Sequence, residues 1–307
     1  MRFYQHEIIY VSALLPAVMN LFLPGSPLLI FFVIVPLVDH FVKMDLTPSI
    51  PSTRITDLPL LAWAPLLLLN LWSRPVHHPL LDTLSMGLLM GQSINIAHEL
   101  IHRRDSWLHL LVGRLLLTLN GYGHWEEIHL KIHHVHVGTP MDMDSAKRGE
   151  SLYSFLVSSI LRTGRTALAM NPSSYAMYRA IGWFWILMTV LFQGTWYYGL
   201  YHYLAAWIGV ILLETLNYIE HYGLERHPQN PIQESHSWDA SSALSPVMVF
   251  KLTHHSDHHM HALKRYPELR IRQHSPKMPY NYPIMMMFAF VPSLFQSIMD
   301  PRIPSTK

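Results

Sequence analysis

Eight of the 22 histidines in this 307-residue chain fall between His98 and His136, a segment that opens with HELIH and closes with HLKIHHVH. Imidazole nitrogen is a good ligand for iron, zinc and copper. Residues three or four apart on a helix share one face, so an HxxxH spacing can present two ring nitrogens to one ion. His98 with His102 has that spacing, and so does His129 with His133. His134 stands about 100° further round a helix than His133, which suits a second metal or the far side of the first. A third cluster, HHSDHH at 254–259, puts His255, His258 and His259 at i, i+3 and i+4 of one face, with His254 and His261 pointing elsewhere. A single HxxxH pair arises by chance on many helices. Two pairs and a third cluster supply more nitrogen than one ion can take.

The elements that must position these residues read as membrane helices. Half of the residues are hydrophobic and 14% are charged, against roughly 25% charged in soluble domains. A formal charge of +2 makes no case for nucleic acid. Spans of roughly 20 apolar residues are expected near 8–23, 27–42, 58–72, 79–97, 180–205 and 206–218, the last two turning at 194–203, which gives about six in all. The span at 79–97 delivers the chain into His98, and the one at 206–218 into NYIEHYG and His221. Residues 108–119 are too short to span and suit a re-entrant or interfacial helix. Residues 151–170 read as an amphipathic interfacial helix, and the Met-rich tail at 279–304 as an interfacial or core helix. The N-terminus has a basic residue and an apolar run without a small-residue cleavage site, the pattern of an anchor rather than a signal peptide.

The expected organisation is one integral-membrane domain over 1–307. Residues 1–97 are mainly spans, 98–178 the first part of a histidine-rich cap, 179–219 spans, and 220–307 the second part of the cap with a C-terminal helix. Arg103, Arg104, Lys147 and Arg148 lie on the cap side, which the positive-inside rule makes cytoplasmic. Asp39 and His40 sit at the end of a span and suit the interface. His77, His78 and His109 read as loop or structural residues. Cysteine is absent, which excludes disulfides, thiolate-bound zinc and Fe–S clusters within this chain. Electrons for any redox chemistry must come from another protein.

HELIH at 98–102, HLKIHH at 129–134, NYIEHYGL at 217–224 and HHSDHH at 254–259 resemble the four histidine motifs of the membrane-bound alkane hydroxylases and the related xylene monooxygenases, within the wider fatty acid desaturase–hydroxylase superfamily. The segments GTPMDMDSAKRGESLYSF, HSW at 236–238 and RYPELR at 265–270 are similar too, so the resemblance runs from His98 to Arg302. It implies an all-α multi-pass bundle with a cytoplasmic di-iron cap, in which nine histidines hold two irons. The matching positions are His98, His102, His129, His133, His134, His221, His255, His258 and His259, while His109, His124 and His136 fall outside the set. The implied reaction uses O₂ to hydroxylate a terminal or benzylic methyl of an apolar hydrocarbon such as a medium-chain alkane, which would reach the irons through a cavity opening to lipid. The implied donor is rubredoxin with its reductase or a ferredoxin-type reductase, and the implied location a bacterial inner membrane.

The chain departs from many alkane hydroxylases in lacking glycine before the second histidine of HELIH and in having few residues after the last motif, which bears on substrate preference. A ligating histidine usually donates its other N–H to a carboxylate or carbonyl, and Glu99, Glu220 and Asp257 adjoin these positions. Two other readings stay open. A fatty-acyl desaturase or decarboxylating oxidase would use the same centre, although NYIEHYGL favours the hydroxylase branch. A metal transporter would carry ionisable residues at mid-membrane depth, whereas these histidines fall at span ends.

Overall fold

The computed structural model describes residues 3–42, 46–73 and 75–304. Among them the protein is helical, with no strand and one isolated bridge between Asp239 and Lys277. In chain order the main helices are α1 (residues 3–20, interrupted by a 3₁₀ turn at Ile9–Leu14), α2 (Ser26–Phe41), α3 (Arg54–Ser73), α4 (Pro79–Ile101), α5 (Trp107–Leu119), α6 (residues 125–136), α7 (Leu152–Met170), α8 (Pro172–Gln193), α9 (Trp196–His221), α10 (Ser245–Met248), α11 (His255–Met260), α12 (Tyr282–Ala289) and α13 (Pro292–Met299).

Three of these, α3, α8 and α9, are long and apolar enough to cross a membrane, against the six spans expected. Part of the difference is polarity. α4 has 23 residues, yet its second half carries Gln92, Ser93, Asn95, His98 and Glu99 and is buried throughout. α4 is therefore the inner helix around which others pack. The segment at 8–23 is broken by its 3₁₀ turn and stops at Asn20, and α2 is apolar but shorter than a span. Between α8 and α9 the turn is only Gly194 and Thr195. Gly194 takes a left-handed φ of 76°, and the Thr195 hydroxyl caps the next helix by accepting from the Tyr197 N–H. The Met-rich tail is two short helices, α12 and α13, rather than one.

α4 and α9 approach very closely, and small residues permit it. A Cβ on Gly209 would lie 2.9 Å from the Gly91 nitrogen, and one on Gly87 would lie 2.4 Å from Ile208. This contact sets His98 at the end of α4 beside the end of α9, where His221 sits. At the far ends of their helices, the Trp72 indole donates to Thr189 at 3.2 Å, tying α3 to α8.

The cap is tied down by buried charges. Asp39 at the end of α2 accepts from the Leu244 and Ser245 N–H groups and from the Ser245 hydroxyl, starting α10. Phe250 and Lys251 both adopt left-handed φ, of 49° and 56°, which turns the chain towards α11. The buried Lys251 ammonium donates to the carbonyls of Pro48, Pro267 and Leu269. Backbone held in such a sparsely populated region persists only where its surroundings over-determine it, and these contacts do so immediately before the last histidine cluster.

Candidate metal centre

All nine histidines named above lie together, in two adjacent groups. One ring nitrogen from each of His98, His102, His129, His134 and His258 forms a first group, and one from each of His133, His221, His255 and His259 a second. Within each group these atoms lie within 4.8 Å of one another. α4 supplies His98 and its C-terminal end His102, α6 supplies three histidines, α9 ends in His221, and α11 supplies three.

The partition differs from the one that helical spacing suggests. His129 and His133 do not share a group. Residues 129–133 form a π turn, in which hydrogen bonds run from i to i+5 and which commonly marks functional sites. The turn brings His134 onto the face of His129, with their ε nitrogens 3.0 Å apart, and sends His133 to the other group. His255 and His259, four apart, do share a group, while His258, about 100° from His259 on the helix, reaches across to the first.

The ε nitrogens meet at distances that suit a shared cation. His102 to His129 is 3.0 Å, His134 to His258 is 3.1 Å, His221 to His255 is 3.1 Å and His255 to His259 is 3.0 Å. Two nitrogens each about 2.1 Å from one ion and near a right angle would be about 3.0 Å apart, whereas tetrahedral ligands would be about 3.4 Å apart. The ε nitrogens of His98 and His133 are buried and have no hydrogen-bond partner among the described residues. Burial, followed by repulsion from neighbouring rings, holds His102, His129, His134, His255 and His259 well below the usual histidine range. Burial and His133 bring His258 down to about 3. These rings are therefore neutral, the form that binds metal. Either group could hold a metal ion.

His133 is the exception. Burial lowers its proton affinity, but the Asp142 carboxylate, 3.0 Å from Nδ1, outweighs that and raises it to about 9. Asp142 is itself fixed by the Ser145 hydroxyl at 2.6 Å and the Asp144 N–H at 3.0 Å. His221 is oriented by donating from Nδ1 to the His236 carbonyl, at 3.2 Å. The Trp125 indole stacks on His129 with ring centroids 4.3 Å apart.

The three carboxylates singled out in the sequence take different places. Glu220 is the one that meets a clustered ring, with Oε2 3.4 Å from the inward-facing Nε2 of His255. Glu99 instead accepts from Arg103 at 2.9 Å and from the Tyr266 N–H. Asp257 binds Lys264, the Arg270 N–H, Arg272 and His261, so it anchors the loop after α11 rather than a ring of either group. Arg103, expected on a cationic surface, is buried between Glu99 and Asp57. Arg104, Lys147 and Arg148 are exposed.

Sequence reasoning missed Asp142, Asp144 and Glu214. The Ser159 hydroxyl donates to Glu214 at 2.6 Å and lies 3.3 Å from Asp144, and the Tyr122 hydroxyl donates to Glu214 at 2.9 Å. A signal was present for each. Asp142 and Asp144 alternate shortly after a histidine motif, and Glu214 is an ionisable residue inside a span, itself a marker of function.

A small cavity is walled by His98, His129 and His255, by Glu220, and by Leu213, Leu216 and Leu252. A second, apolar cavity lies between α2, α4, α9 and α12 and is lined by Phe31, Phe32, Leu88 and Met286 among others. Asn95 and Leu216 belong to the walls of both.

Comparison with known proteins matches residues 73–289 to the family described as Fatty acid desaturase. The chain is 30% identical to alkane 1-monooxygenase 1 of Alcanivorax borkumensis over 324 residues, covering 91% of this chain and 77% of that protein. It is 35% identical to alkane 1-monooxygenase 1 of Pseudomonas aeruginosa, covering 72% of this chain and 62% of the relative. It is 26% identical to the xylene/toluene monooxygenase hydroxylase component of Pseudomonas putida, covering 72% and 63%. The chain thus spans less than two thirds of the length of these two Pseudomonas proteins. Its three apolar helices and its membrane monooxygenase relatives make it an integral membrane protein, and the histidine groups suit a family that uses non-haem iron. With the family match running from the end of α3 to the end of α12, the chain belongs to the fatty acid desaturase family, and its relatives there include alkane 1-monooxygenases.

Proposed function

We propose that this protein is a membrane di-iron monooxygenase that hydroxylates an unactivated C–H bond, terminal or benzylic, of an apolar hydrocarbon such as a medium-chain alkane. The overall reaction takes R–H, O₂, two electrons and two protons to R–OH and water. The observation that carries the reading is the small cavity walled by histidines of both groups together with Leu213, Leu216, Leu252, Trp125, Asn95, Asn217 and Glu220, adjoining an apolar cavity between helices.

His98, His102, His129, His134 and His258 would hold one iron, and His133, His221, His255 and His259 the other. The irons would supply the redox chemistry with O₂ that no side chain provides. The protein's part is positioning and exclusion of water. Leu213, Leu216 and Leu252 make the reacting cavity water-poor, which strengthens electrostatic interactions within it. The apolar cavity offers a route from lipid, and Asn95 and Leu216 stand where substrate would pass from one space to the next. Asp142 and the His236 carbonyl hold His133 and His221 with their ε nitrogens directed inwards.

Without cysteine the chain holds no thiolate redox centre of its own, so electrons would come from a separate rubredoxin or ferredoxin-type protein and its reductase. A cleft lined by Arg103, Arg104, Lys264 and Arg265 against Glu99 and Asp105 has an excess of cationic side chains, which supports an approach from the cap side by an acidic donor. On the positive-inside rule that side is the cytoplasm, and the membrane the bacterial inner membrane.

The test supplies octane and ¹⁸O₂ to membranes containing the protein, a rubredoxin and its reductase. An alcohol carrying ¹⁸O is expected. An alkene without the label would replace this reading by a desaturase.

A further inference from the structure

A further cavity beside the spans is separate from the histidine centre. A cavity of about 310 Å³ lies between α5, α7, α8 and α9, and none of its wall residues borders either cavity described above. Its inner walls, including Trp183, Ile186 and Trp207, belong to α8 and α9 and so to membrane-crossing helices. Arg165 and Arg179 also line it, and no carboxylate does.

His124 lines the same cavity. It is buried, at 5% exposure, and its Nδ1 has no hydrogen-bond partner among the described residues. Its ring packs 5.1 Å from that of Tyr175, and Arg179 donates to the Gly121 carbonyl three residues away, so His124 and Arg179 belong to one end of the cavity. A buried polar atom without a partner is costly, and guanidinium groups suit carboxylate and phosphate oxygens. Apolar walls between spans, joined to a cationic end with an unmatched imidazole, have the shape of an acidic head on an alkyl chain.

We propose that this cavity binds an anionic amphiphile, with its carboxylate or phosphate at Arg165, Arg179 and His124 and its chain between α8 and α9. The site stands independently of the monooxygenase reading.

Native mass spectrometry of the full chain in detergent tests it, with phosphatidylglycerol, dodecanoate and phosphatidylcholine added separately at equal concentration. Retention of at least one anionic probe over phosphatidylcholine is expected. Phosphatidylglycerol alone identifies a membrane phospholipid and dodecanoate alone a free fatty carboxylate. The double variant Arg165→Gln/Arg179→Gln should lower retention about tenfold, the scale of losing one charge-assisted hydrogen bond. Gly164→Leu should do the same without altering charge. Gly164 lines the cavity and a Cβ there meets only the Tyr175 hydroxyl, at 3.9 Å, so the added side chain starts from open space at the cavity wall. Equal retention of phosphatidylcholine, retention of neither anionic probe, or unchanged retention in either variant would overturn the proposal.

Discussion

His129 and His134 stand five residues apart and hold their ε nitrogens 3.0 Å from each other, while His133, four residues from His129, faces a different set of rings. On a regular α-helix, positions i and i+5 diverge by about 140°. The π turn at 129–133 removes that divergence. The expected consequence concerns phenotype. In iron-loaded protein, His129→Ala and His134→Ala should lose the same spectroscopic iron environment, and His133→Ala the other one together with His259→Ala. Matching spectra from the His129 and His133 variants, with His134 different, would mean that the α-helical pairing holds instead.

Asp142 is the buried carboxylate behind His133. Removing such a partner usually costs 10- to 100-fold in metal affinity, so Asp142→Asn should weaken iron binding by roughly 10–100-fold in a competition titration with a chelator. Because Asp142 raises His133 to about 9, metal-free protein below that pH carries a proton on the ring that metal must expel. Affinity at the four-histidine group should therefore climb as pH rises towards about 9, and the variant should flatten that climb. Asp257→Ala, whose native partners are Lys264, Arg270, Arg272 and His261, should leave iron affinity unchanged.

Arg103 bridges Glu99 of α4 and Asp57 of α3 from a buried position. Removing one member of such a group leaves uncompensated buried charge and costs roughly 3–5 kcal/mol. Arg103→Met should thus lower the thermal unfolding midpoint in detergent clearly. An unchanged midpoint would show that the two carboxylates are neutral or solvated without it.

Residue type and helical spacing singled out eight of the histidines that the fold gathers into two groups, and the resemblance of NYIEHYGL to a family motif added His221. Their division between groups was not legible, because a helical wheel assumes a regular repeat and HLKIH carries no mark of its π turn. The inner position of α4 was hidden for a related reason. A stretch such as GLLMG reads as lipid-facing until Gly87, Gly91 and Gly209 show another helix pressed against it. Asp142 and Glu214 were masked by their surroundings, one in a polar loop and one in an apolar span. The exposed place expected for Arg103 rested on its charge, and Asp57, 46 residues earlier in the chain, is what allows burial.

On the proposed function, five and four histidines would hold two inequivalent irons in one chain. Mössbauer spectroscopy of ⁵⁷Fe-loaded protein, read beside iron and protein quantitation on the same sample, tests it most directly. Two irons per chain and two quadrupole doublets of equal area are expected, one lost in His134→Ala and the other in His133→Ala. One iron per chain, or a single doublet that both substitutions remove together, would contradict it.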